Sequence, residues 1–234
     1  MHKLYTLLAA GLLLAGCSRP RAEQTLVLFV GDSITQGDQT YGFPYPKQTI
    51  ELLNRTSKES YAMAVRAYPG KTAHWLLKNR SGTLDSVDDK GYKRKIATLF
   101  FVANDLVYPS PGSSAAPDSV LSYNRRLANI LTAKGYEVII CPGLDRANYP
   151  EFADFNQKRE RYNALLREQY KSFAVGLVPL ENQPLVFAPG ASKSLDYFAG
   201  TQKPGQSDGS HPNKAGAGLI AKEFAHSIEA VSAK

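Results

Sequence analysis

The chain has 234 residues, 43% of them hydrophobic and 21% charged, with a formal net charge of +7. That balance belongs to an ordinary globular protein and excludes a disordered or collagen-like one; a single α/β domain of this length buries a core large enough to need no disulfide or metal staple. Basic residues are spread along the chain and no nucleic-acid-binding motif is present, so the surplus suits anionic lipid headgroups or acidic glycans and gives no sign of a nucleic-acid partner.

Met1, His2 and Lys3 make a short basic start, and the apolar stretch over residues 7–14 is too short to cross a bilayer. Residues 1–16 therefore read as a secretory signal. The segment ends in Leu14-Ala15-Gly16-Cys17, which resembles the lipobox of bacterial lipoproteins. That resemblance implies an acylated Cys17, a lipidated tether over residues 17–23 and a domain over residues 24–234. Ser18, where an aspartate would favour the inner membrane, implies the outer membrane facing the periplasm. An ordinary signal peptide with a chance cysteine is the alternative.

The first strand is expected over residues 26–30, followed by Gly31-Asp32-Ser33-Ile34-Thr35. A serine at the end of a buried strand is held by rigid backbone at the sheet's carboxyl edge, where a nucleophile should stand. Thr35, two positions on, rules out the glycine-flanked elbow of α/β-hydrolases, and the triplet alone also fits a plain turn. A weak helix covers residues 47–53, and a second strand residues 61–65. Gly70-Lys71-Thr72 invites a phosphate-loop reading, but position 65, where that motif wants glycine, is Val65. His74 follows closely enough to line a pocket.

The third strand, residues 96–102, leads into Ala103-Asn104-Asp105, a candidate site segment or simply a turn. A Pro-, Ser- and Gly-rich loop over 108–117 precedes a helix carrying Val120, Tyr123, Leu127, Ile130 and Leu131, which stops near Gly135. A fourth strand, 138–141, places Cys141 as a small core residue. A helix carrying Phe155, Tyr162, Leu165, Leu166 and Tyr170 separates it from a fifth strand over 175–180. A second long irregular segment, 182–207, leads to Asp208-Gly209-Ser210-His211-Pro212-Asn213, and a last helix carries Ile220, Phe224, Ile228 and Val231. Pro212 biases His211 away from helical geometry, so Asp208 and His211 should share a turn. Alternation of short apolar runs with helices predicts a parallel sheet covered on both faces, with both long loops at its carboxyl end, where such folds bind ligands. Tyr41, Phe43, Tyr45, Tyr108, Tyr197 and Phe198 are candidate pocket walls.

In order and spacing, the GDS block after the first strand and the DxxH block before the last helix resemble the SGNH, or GDSL, hydrolase family. The likeness runs from about residue 26 to the C-terminus. It implies a flavodoxin-like three-layer α/β/α fold with a five-stranded sheet, and ester hydrolysis by a triad of Ser33, His211 and Asp208. Gly70 matches the family's second block and Asn104 its third; Val102 departs from the glycine of that third block. The implied oxyanion donors are the N–H groups of Ser33 and Gly70 and the amide of Asn104. No cofactor is implied, and no metal-ligand spacing appears. Acetylated glycans or small acyl esters are the expected substrates, with lysophospholipids or thioesters as alternatives. A non-catalytic glycan-binding lipoprotein is the reading from another class.

Overall fold

The computed structural model describes residues 19–147, 153–201 and 204–233. The expected signal over residues 1–16, with His2, and Cys17 lie outside them. In chain order the elements are β1 (Gln24–Gly31), α1 (Ser33–Gln36), α2 (Tyr45–Thr56), β2 (Ser60–Ala67), α3 (Ala73–Lys78), β3 (Arg94–Phe100), α4 (Ala103–Val107), α5 (Pro117–Ala133), β4 (Glu137–Ile140), α6 (Phe155–Gln169), β5 (Gly176–Leu177), α7 (Pro184–Phe187), β6 (Phe198–Gly200), β7 (Ser207–Pro212) and α8 (Lys214–Ser232). Strands β1 to β5 form a parallel five-stranded sheet in the order β2-β1-β3-β4-β5. This is the doubly wound α/β architecture that the alternation of runs predicts.

Two cores follow from the two-residue period of the strands. Leu26, Leu28 and Val30 of β1 pack with α3, α5 and α6 on one face, while Val27 and Phe29 pack with α2 and α8 on the other. On that second face Tyr45, at the start of α2, lies 4.5 Å from the Phe224 ring and 5.8 Å from Phe29. Each aromatic pair of this kind contributes about 1 kcal/mol beyond the area it buries. These contacts fix where α2 and α8 leave the carboxyl edge of the sheet, and hence where the segment before α8 stands.

The fifth strand is shorter than expected. Its pairing runs through Gly176 and Leu177, with Val178 N–H still donating to the Ile140 carbonyl at 2.9 Å. Pro179 has no N–H to extend the ladder. The segment over 182–207 is also more ordered than its composition suggests: it contains α7 and β6. Residues 108–115 are irregular, as expected. Cys141 is a free, fully buried thiol at the end of β4, and its N–H donates to the Leu99 carbonyl.

Candidate active site

β1 is buried almost throughout and ends at Gly31. A Cβ at residue 31 would stand 1.9 Å from Thr35 Oγ1 and 2.9 Å from the Phe100 carbonyl oxygen, so glycine is what lets α1 fold back onto the strand end. Asp32 caps that short helix, accepting the Ile34 N–H at 3.0 Å. Ser33 is thus the first helical residue, and its N–H belongs to the group a helix start leaves without an intrahelical acceptor.

Asp208 and His211 lie in β7, which pairs antiparallel with β6 across an irregular register, where a plain turn was expected. The turn-like feature is local. Asp208 Oδ1 accepts the N–H groups of Ser210 at 2.9 Å and His211 at 3.0 Å, the self-bonding bend that aspartate favours. Asp208 Oδ2 lies 2.8 Å from His211 Nδ1, and His211 Nε2 lies 2.9 Å from Ser33 Oγ. A carboxylate against Nδ1 assigns the ring proton to that nitrogen and leaves Nε2 as the acceptor facing the hydroxyl.

The charges support that assignment. The hydrogen bond to Asp208 raises the His211 imidazole above its ordinary 6.5, against burial, which lowers it. Burial pushes the Asp208 carboxyl up, but hydrogen bonds from the His211 ring and from the N–H groups of His211 and Ser210 outweigh it and hold the group below its ordinary value. The site therefore carries an ionised Asp208 beside an imidazole of enhanced basicity.

Asn104 is the second residue of α4, just past the end of β3, and is buried. Its Nδ2 donates to the Lys71 carbonyl at 3.1 Å and approaches Asp32 Oδ2 at 3.4 Å. Next to it, both carboxylate oxygens of Asp105 accept the Ala73 N–H, at 3.0 and 3.1 Å. Asn104 and Asp105 together pin the segment over 71–73 against the sheet edge. Burial raises Asp32 to about 6 and Asp105 to about 7, with backbone N–H donors opposing in each case.

Ser33, His211, Asn104 and Asp32 border one cleft, whose apolar wall comprises Ile34, Phe100, Val102, Ala103, Leu144 and Phe155. Gly70 does not join that lining. It stands at φ +68 in an exposed turn after β2, one residue before the carbonyl that Asn104 holds. His74 does not line the cleft either: its ring packs 5.0 Å from that of Tyr123. Of the aromatics expected as walls, Tyr45 and Phe198 are core residues, and Tyr41 and Tyr108 are largely exposed. Phe100 and Phe155 take that place. Arg146, also in the lining, has a sequence signal that could have found it, since it follows the carboxyl end of β4.

Residues 29–219 match the model of the GDSL-like lipase/acylhydrolase family. The chain belongs to that family. Similar solved structures include a GDSL-like lipase from Bacteroides thetaiotaomicron, at 21% identity and TM-score 0.63, covering 93% of this chain and 94% of that one. A lipase/acylhydrolase from Enterococcus faecalis aligns at 16% identity and TM-score 0.65, covering 88% and 96%. An acetylxylan esterase from Geobacillus stearothermophilus aligns at 17% identity and TM-score 0.58, covering 87% and 93%. No curated protein sequence is significantly similar to the chain. As a GDSL-like acylhydrolase, the protein is a carboxylic ester hydrolase, and the cleft beside Ser33 is where its fold presents a hydroxyl, a base and a buried amide together.

Proposed function

We propose that this GDSL-like acylhydrolase cleaves short acyl esters, acetylated glycans or small acetyl esters, through an acyl-Ser33 intermediate. The observation that carries the reading is the unbroken chain of hydrogen bonds from Ser33 Oγ through His211 to Asp208. Ser33 Oγ attacks the ester carbonyl while His211 Nε2 takes its proton, forming a tetrahedral oxyanion. Collapse breaks the bond to the alcohol oxygen, which leaves with the proton from Nε2. Water then attacks the acyl-serine, His211 takes its proton and returns it to Ser33, and the carboxylic acid departs.

The oxyanion falls to the Ser33 N–H and the Asn104 amide, whose hydrogen now on the long 3.4 Å contact to Asp32 Oδ2 turns to it while the bond to the Lys71 carbonyl stays. Asn104→Ala should lower kcat about a hundredfold, with a modest fall in melting temperature from the lost bond to the Lys71 carbonyl. Turnover within threefold of wild type would remove Asn104 from the site.

The short acyl preference is supported by the size of the cleft. Among the described residues it measures about 50 Å³, room for roughly three to five water-sized groups, which suits an acetyl group. The acetylxylan esterase among the structural relatives is consistent with this. Comparing kcat/KM for p-nitrophenyl acetate, butyrate and octanoate tests it: the expected order falls from acetate to octanoate, and a preference for octanoate would favour a lysophospholipase or thioesterase instead.

We further propose that lipid on Cys17 holds the enzyme on the periplasmic side of the outer membrane. Acyl chains contribute about 0.8 kcal/mol per buried methylene, so several of them anchor a protein without a spanning helix. Cys17→Ser should move the protein to the soluble fraction; persistence with membranes would overturn the anchor.

A further inference from the structure

Val102 stands where the family's third block carries glycine, and the structure gives that departure a physical partner. The residue stands two positions after β3, at the N-cap of α4, and is 2% exposed while forming part of the cleft lining beside Ala103 and Asn104. Across from it, on the segment after β4, is Gly143. A Cβ at position 143 would lie 2.7 Å from Val102 Cγ1 and 3.1 Å from Arg159 Cγ. The backbone at 143 has no room to retreat, because Asn163 of α6 clamps it on both sides: Asn163 Oδ1 accepts the Gly143 N–H at 2.8 Å and Nδ2 donates to its carbonyl at 3.1 Å. The valine side chain therefore occupies the space that glycine at 102 would leave open, and glycine at 143 is what makes room for the valine.

We propose that Val102 is the specificity-determining floor of the acyl pocket, limiting the ester to an acetyl-sized acyl group, and that Gly143 is its required counterpart. The inference rests on the reading that the cleft beside Ser33 receives the acyl group. Val102 adds three side-chain carbons to a cleft whose other walls, Phe100, Leu144 and Phe155, are held in the two cores. Val102→Ala removes two of those carbons, the same number that separates butyrate from acetate.

The test measures kcat/KM for p-nitrophenyl acetate, butyrate and octanoate in wild type, Val102→Ala, Val102→Ile and Ser33→Ala. Val102→Ala should raise the butyrate-to-acetate ratio about tenfold, in keeping with the discrimination a pocket exerts per methylene. Val102→Ile should lower it. An unchanged ratio in both valine variants overturns the proposal. Ser33→Ala separates the two readings: if it abolishes hydrolysis while the ratios stay fixed, only the pocket inference fails, and if it leaves hydrolysis intact, the serine mechanism fails and takes the inference with it. Melting temperatures supply an independent arm. Gly143→Ala should lower the melting temperature, and adding Val102→Ala should restore part of the loss because it removes the methyl at 2.7 Å; simple addition of the two losses overturns the pairing.

Discussion

Ser33→Ala is expected to lower kcat for p-nitrophenyl acetate by about four to six powers of ten, and His211→Ala by a similar factor. The size follows from the chemistry. A serine hydroxyl is a poor nucleophile unless its proton is removed during attack, and a lone imidazole has no oxygen to acylate. Because the two act as a unit through one 2.9 Å hydrogen bond, the double variant should be no worse than either single one. Stability should barely change for Ser33→Ala, since the Asp208–His211 pair and the cap at Asp32 survive the substitution. Measurement is by single-turnover or steady-state assay of the purified mature protein beside its melting curve. Retention of a tenth of wild-type activity by Ser33→Ala would end the acyl-serine mechanism.

The sheet was legible where burial is two-sided and local. Residues 26–30 form an unbroken apolar run because β1 is covered by helices on both faces and by β2 and β3 on both edges. The helix over Pro117–Ala133 shows its stripe at three- and four-residue spacing because one face alone meets the core. The β6–β7 ribbon was not legible. Its second strand reads Ser-Asp-Gly-Ser-His-Pro, with no apolar alternation, and its pairing depends on β6 some ten residues earlier across an irregular register.

The site divides in the same way. Ser33 and His211 are 178 positions apart, and no local rule brings them together; block order pointed to them, and the packing of α8 on α2 and β1 carries the histidine to the strand end. Gly70 was assigned by block order too, yet the structure leaves it on an exposed turn, since the hydrogen bonds that pin this segment act on Lys71 and Ala73. The aromatic wall was misassigned because a loop position near a helix start does not say which way the ring turns. Tyr45 turns inward to Phe224, while Phe100 and Phe155, sitting at element ends, reach the cleft.

Asp208→Asn is expected to lower kcat about 10⁴-fold with the bend of β7 kept intact. The asparagine side-chain oxygen can still accept the N–H groups of Ser210 and His211, the bonds that shape the backbone. Its amide nitrogen, however, would face His211 Nδ1 at the position of Oδ2, donating where the carboxylate accepted. The ring must then hold its proton on Nε2, toward Ser33, and lose its capacity to take the serine proton. The pH profile separates this from a structural role. In the wild type the bond to Asp208 raises the imidazole above 6.5, so kcat/KM falls as pH drops through a value higher than that of an ordinary histidine. Removing the carboxylate leaves burial as the dominant influence, which lowers the imidazole, so the acid limb of the variant's residual activity should move to lower pH. A variant with less than a tenfold loss and an unmoved acid limb would show that Asp208 shapes the ribbon and has no part in setting the histidine.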